Sequence, residues 1–119
     1  MDRELLTMQN TENGAVASFI GTVREDDDLL ALQYESYGEM AAGLLMKLCE
    51  SAVKKFEVND ITVVHRVGTL APGDRVVLVA VGAPHREEAF RACEWLVEGL
   101  KKKVPIWKKE LRENEGGWL

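Results

Sequence analysis

The sequence predicts an α+β fold in which a mainly antiparallel sheet carries two long helices on one face. Three observations lead there. Residues 39–56 and 85–103 place apolar side chains at helical spacing. Five other segments are short and rich in apolar and β-branched residues, the pattern of strands. The connections between neighbouring strands have hairpin length, whereas parallel pairing needs long crossovers. The resulting order is β-β-α-β-β-α-β.

Taken in turn, residues 14–24, GAVASFIGTVR, read as a largely buried strand, and the acidic cluster Glu25-Asp26-Asp27-Asp28 as an exposed turn. Residues 29–37 form a second strand expected to pair back on the first across that turn. Met40, Leu44, Leu48, Ala52 and Phe56 recur every fourth residue and give the first long helix its apolar stripe. Residues 61–70 and 75–83 are strands joined by Ala71-Pro72-Gly73-Asp74, a tight-turn sequence, and form a hairpin. The second long helix has Phe90, Cys93, Val97 and Leu100 as its stripe, and Glu87 and Glu88 in the first turn, where the helix dipole favours acids. Pro105 stops it, and residues 106–111 form a final strand. Residues 1–13 are expected as a loosely held N-terminal extension, and 114–119, with Gly116-Gly117, as a loose tail. One domain spanning 1–119 is expected, since 119 residues at 46% hydrophobic suffice for one core.

Charge and cysteine usage narrow the function. A formal net charge of -5 argues against a broad nucleic-acid surface, because such binding is mostly phosphate neutralisation. The positive groups are nevertheless concentrated: residues 1–84 hold seven Lys/Arg against thirteen Asp/Glu, and residues 85–119 hold eight against seven. An anionic ligand is therefore expected near the C-terminal third. Cys49 and Cys93 are isolated within helical patterns and read as inert buried thiols, which fits a reducing, cytoplasmic setting without disulfides. The longest strongly apolar run, VVLVAVGAP, is too short to span a bilayer, and no membrane association is expected.

Familiar catalytic motifs are missing: there is no GxSxG, P-loop or GxGxxG, and two histidines and two cysteines offer no metal-ligand spacing. No metal or cofactor is expected. Four basic features remain. Arg24 ends the first strand, His65-Arg66 lies in the third, His85-Arg86 opens the second long helix, and five lysines surround Pro105. Lysines at a helix C-terminus are stabilised by the dipole without any ligand. His65, with Ile61, Val63 and Val67 as alternation partners, reads first as a hydrogen-bonded core histidine. His85-Arg86 occupies a helix N-terminus, whose backbone N–H groups suit an anion. His85 and Lys101 are sixteen residues apart on one helix, roughly 24 Å along its axis, so one small ligand reaches both only if two copies of the chain share the site.

The elements GAVASFIGTVR, LQYESYGEMA, VVHRVGTLAPGD, APHREEAF and LKKKVPIWKKE, followed by Trp118, occur in an order that closely resembles the large, catalytic subunit of molybdopterin synthase. The resemblance covers about residues 14–118. It implies an α/β hammerhead-type fold and the conversion of cyclic pyranopterin monophosphate (precursor Z) into the molybdopterin dithiolene. It implies that sulfur comes from the C-terminal Gly-Gly thiocarboxylate of a small ubiquitin-like partner subunit, and that two large subunits form a homodimer at the centre of a heterotetramer. The family's two functional lysines fall on Lys101 and Lys108, and its substrate-binding residues on Arg24, His85 and Arg86, the last two from the opposite subunit. Lys102, Lys103 and Lys109 fall outside those positions. The alternative function is a non-catalytic anion-binding or partner-docking module with the same fold.

Overall fold

The computed structural model describes residues 1–113 and the backbone of 117–118. After Arg75, the run VVLVAVGA has no polar side chain, and it forms β5 (Arg75–Ala83), a strand buried on both faces. β5 is the middle of a three-stranded antiparallel sheet, between β1 (Ala15–Thr22) and β3 (Asp60–His65). Alternation divides its side chains. Val79, Val81 and Ala83 meet α2 (Gly38–Phe56) and α3 (Arg86–Lys103) in the main core, while Leu78 and Ala80 point to the other face. That face is covered by Met8 and by Leu5 of α1 (Asp2–Thr7). The N-terminal residues are thus part of the core and not the loose extension expected from sequence. Asn13 helps to hold them, donating from Nδ2 to the Met8 carbonyl at 3.1 Å and to Asp60 Oδ2 at 2.7 Å.

A second antiparallel sheet follows the order β4-β2-β6-β7, from β4 (Gly68–Leu70), β2 (Leu29–Ser36), β6 (Ile106–Arg112) and β7 (Gly117–Trp118). The α+β class and antiparallel pairing agree with the sequence reading, and the two long helices fall within a residue of their expected bounds. Three details differ. β2 does not pair with β1: the register slips between Gly21 and Thr22, and Val23 is then tied to the next turn, its N–H donating to Asp74 O at 2.9 Å and its carbonyl accepting from Gly73 N–H at 2.8 Å. These bonds turn the chain out of the first sheet. The strand expected over 61–70 breaks at Arg66-Val67 and changes sheets, because Gly68 adopts a φ of +100°, a conformation open mainly to glycine. Finally, Gly117 and Trp118, expected in a loose tail, pair with Arg112 and Leu111 of β6; the remaining tail residues, 114–116 and 119, lie outside the described residues.

The helices cross closely because their facing positions are small. Ala41, Ala52, Ala89 and Ala92 are buried, and an added Cβ on Gly99 would come within 2.7 Å of Leu48 Cδ1. Phe56 and Trp95 close one end of the crossing edge-to-face, with centroids 5.8 Å apart. This close fit also explains two misread positions. Met40 and Phe90, assigned to apolar stripes, are 61% and 65% exposed, because the contact runs through the neighbouring alanines Ala41 and Ala89. Cys93 is buried as expected and Cys49 half-buried; burial pushes both thiols above their ordinary range. Among the described residues, no helix is long and apolar enough to cross a membrane.

Leu96, fully buried on α3, should be a point of greatest sensitivity. Leu96→Ala is expected to lower unfolding free energy by about 2–5 kcal/mol. Gly99→Val is expected to cost about 1–3 kcal/mol through overpacking against Leu48. Urea titrations followed by circular dichroism check both, and a Gly99→Val protein as stable as the parent would contradict the close helix crossing.

Candidate active site

The two sheets diverge where β1 and β3 end, and a cleft of about 350 Å³ opens at the seam. Its walls come from five strands and one helix: Phe19, Gly21 and Thr22 of β1, Tyr34 of β2, His65 of β3, Val76 and Val77 of β5, and Ile106, Trp107 and Lys108 of β6. α3 adds Val97, Leu100 and Lys101. The i, i+3, i+4 spacing puts these three on one helical face, so the apolar pair that seats the helix end also aims Lys101 into the cleft. Pro105 breaks the helix, Ile106 N–H bonds back to Val104 O at 2.8 Å, and β6 starts at once. In the register of β2 and β6, Lys108 sits opposite Tyr34, which fixes the second amine on the same cleft.

Of the five lysines around Pro105, therefore, only Lys101 and Lys108 line the cleft. Lys102 pairs with Glu98 at 3.7 Å, and Lys103 lies 5.8 Å from the Trp95 ring centroid. Lys109 is likewise outside the cleft lining. Trp107 also borders the cleft and packs on Tyr37 with ring centroids 4.8 Å apart.

Arg24, His85 and Arg86 are not in this cleft. Arg24 lies two residues beyond Thr22, where the chain leaves β1. His85 and Arg86 are at the opposite end of α3, on a separate shallow depression of about 560 Å³ lined also by Gly14, Ala15, Pro84, Glu87 and Glu88. His85 is the N-cap residue of α3 and makes no side-chain cap bond; its exposed ring lies 3.4 Å from Glu88 Oε2. One chain thus holds the predicted residues in two places, as the helix-rise distance required.

From the sequence His65 reads as a core histidine, and Tyr34 and Trp107 carry no site signal; in the structure all three line the cleft. His65 is half-buried and meets Tyr34 edge-on, with ring centroids 5.3 Å apart. Its Nδ1 lies 2.7 Å from the Arg66 carbonyl oxygen. Burial, partly offset by that hydrogen bond, holds the imidazole below its ordinary value of 6.5, and burial raises the Tyr34 phenol. The signal available in the sequence was position: His65 is the last residue before a glycine-containing corner, where strand alternation no longer says which way a side chain faces.

The acidic loop after Arg24 is fastened from β6. Arg112 is only 17% exposed, and its guanidinium reaches Asp28 Oδ1 and the Asp27 carbonyl from Nη1, both at 2.9 Å. It reaches Asp26 Oδ2 from Nη2 at 3.2 Å and Glu110 Oε2 from Nε at 2.9 Å. Hydrogen bonding to Arg112 holds the Asp26 carboxyl below its usual 3.8. Among the described residues no group of His, Cys, Asp and Glu could hold a metal ion.

Comparison with known proteins places this geometry. A family model described as MoaE protein matches residues 2–103. The molybdopterin synthase catalytic subunit of Caulobacter vibrioides is 42% identical over 109 residues, covering 91% of this chain and 73% of that protein. Its counterpart in Bacillus subtilis is 38% identical over 115 residues, covering 94% and 73%. Among solved structures, molybdopterin synthase from Staphylococcus aureus superposes with a TM-score of 0.91 at 37% identity, covering 100% of this chain and 89% of that one. A complex of subunits 1 and 2 of the molybdopterin-converting factor from Helicobacter pylori contains a chain matching at a TM-score of 0.83 and 25% identity, with 99% and 82% covered.

Arg112→Ala should release the acidic loop without unfolding the core. The expected result is faster limited proteolysis near residues 25–28 with an unchanged far-ultraviolet spectrum. Arg112→Lys should rescue only partly, since an ammonium cannot form the same planar fork. Because Asp26 is depressed in the folded chain, its contribution is present above about pH 4 and fades as pH falls below that value, so the parent's proteolytic protection should weaken in acid.

Proposed function

The chain belongs to the MoaE protein family, and on that premise we infer that it is a molybdopterin synthase catalytic subunit, an enzyme of molybdenum cofactor biosynthesis, with its reacting groups in the cleft at the end of α3. In this reading the cleft receives the C-terminal thiocarboxylate of a small partner subunit and transfers its sulfur to cyclic pyranopterin monophosphate. The observation that carries the assignment is the sorting of the lysines: of five crowded amines, Lys101 and Lys108 alone share a cleft, although one is on a helix and the other on a strand.

The chemistry suits these groups. Replacing carbon–oxygen bonds by carbon–sulfur bonds expels oxygen as water, so the site needs proton donors and positive charge where negative charge develops. Two amines fixed on rigid elements supply both without moving. The apolar walls, Val76, Val77, Val97, Leu100 and Ile106, exclude water from the reacting atoms and strengthen every electrostatic contact within. No cysteine is required, since the partner brings the sulfur, and neither Cys49 nor Cys93 lines the cleft.

Arg24, His85 and Arg86 fit as holders of the substrate's phosphate and pterin if the last two come from a second copy. The surface next to α3 favours self-association. β1 is an edge strand of the first sheet, and Val16, Phe19 and Phe90 are exposed beside it. An open edge with apolar side chains is a ready template for pairing. Two copies joined antiparallel through this face would set the α3 N-terminus of one against the α3 C-terminus of the other, bringing His85 and Arg86 to Lys101 and Lys108 twice over. The cytoplasm is the proposed location.

Lys101→Ala is expected to abolish dithiolene formation from precursor and thiocarboxylated partner while leaving the fold and partner binding intact; near-normal turnover would remove Lys101 from the mechanism. Mixed dimers of Arg86→Ala and Lys101→Ala chains should recover one intact site in every mixed pair. Absence of recovery in dimers verified as mixed by mass spectrometry would overturn the shared site.

A further inference from the structure

We propose that His65 is a catalytic proton acceptor of the cleft, presenting an unprotonated Nε2 whose tautomer is set by the backbone carbonyl of Arg66. The proposal rests on the functional reading above and adds to it the base that the lysines leave unassigned.

The tautomer follows from valence. A carbonyl oxygen only accepts, so at 2.7 Å the proton between it and Nδ1 belongs to the ring. A neutral imidazole with Nδ1–H has a lone pair on Nε2, and Nε2 takes no hydrogen bond from any described residue. The Tyr34 ring packs edge-on and fixes the plane of the imidazole. The surroundings keep it neutral. Facing it are Tyr34 from β2, Lys101 from α3 and Lys108 from β6, with Val77 opposite it in the β5 register, and among the described residues no carboxylate lines the cleft. Burial opposes a positive ring and outweighs the Arg66 carbonyl bond, which favours one. A carboxylate base is therefore absent from the described lining, and His65 is its single imidazole.

Sulfur transfer has a step that needs this group. A sulfur atom moved from an acyl thiocarboxylate onto carbon remains joined to the acyl group until water releases it. In that release an acyl C–O bond forms and the acyl C–S bond breaks. The electron pair of the broken bond stays on sulfur, the partner's C-terminus leaves as a carboxylate, and the attacking water gives up protons. His65 Nε2 takes the first of these and later returns it to solvent. No oxidant or reductant enters.

The experiment has two arms. In protein labelled with ¹⁵N-histidine, only His65 and His85 give ring signals, and a His65→Asn variant assigns them. The expected His65 signature is the neutral Nδ1–H tautomer, titrating below 6.5; an Nε2–H tautomer, or an imidazolium at neutral pH, overturns the proposal. In single-turnover reactions with thiocarboxylated partner and precursor, His65→Asn keeps an amide donor for the Arg66 carbonyl but has no titratable acceptor. It should accumulate acyl-linked partner, slow its release about 10²- to 10⁴-fold, and lose the acid limb of the wild-type pH profile. His65→Gln, checked for folding by circular dichroism, should behave alike. Wild-type release rates and an unchanged pH profile in both variants would overturn the role of His65 alone, whereas a wild-type protein that forms no dithiolene would overturn the functional reading and this proposal together.

Discussion

All three apolar clusters among the described residues rest on one strand. β5 gives Val79, Val81 and Ala83 to the helical core, Leu78 and Ala80 to the cluster under α1, and Val76 to the cluster that joins the second sheet. A strand buried on both faces has little freedom to shift, because any slip moves every side chain to the wrong side. Rigidity at the cleft comes from this. Val76 and Val77 form its floor at the N-terminal end of β5, and the walls are elements that pack on the same strand or turn away from it. Lys101 and His65 are thereby held by packing against β5, and hydrogen bonds make finer adjustments.

Much of this could be read from the residues. The run VVLVAVGA could hardly be anything but a buried strand, and the helical stripes of 39–56 and 85–103 gave both helices nearly to the residue. Two strands were harder for one reason: their partners are set by corners, and corners depend on a few backbone torsions. The positive φ of Gly68 splits one strand between sheets, and the slip at Gly21/Thr22 sends β2 away from β1 although the short acidic turn resembles a hairpin. The site shows the same limit. Composition located a basic region and the family resemblance selected two lysines, but the side chains that complete the cleft sit next to those corners. His65 looked like core because Ile61, Val63 and Val67 alternate with it, but the strand ends at His65 itself and Val67 is exposed.

Electrostatically the protein separates its charges by position. The chain is acidic overall, yet among the described residues the cleft lining contains two lysines and no acid. The acids nearest the first strand's end are engaged by Arg112, which spends its whole guanidinium fork on Asp26, Asp28, Glu110 and the Asp27 carbonyl. Carboxylates satisfied in this way are less available to compete with an anionic substrate for the amines. The acidic loop is then compatible with a neighbouring anion site, because two of its carboxylates, Asp26 and Asp28, are held by Arg112 of β6.

The chain order of β6 has a consequence for how the protein is made. Residues leave the ribosome at about 5–20 per second, N-terminal part first. The first sheet and both long helices are complete once Lys103 has emerged, so the platform is able to fold while synthesis continues. Until β6 follows, β2 has only the three-residue β4 as a partner, and Tyr34 has no Lys108 opposite it. The cleft is therefore assembled last, on a scaffold already standing. A chain stalled before residue 106 carries the cleft's first amine without its second.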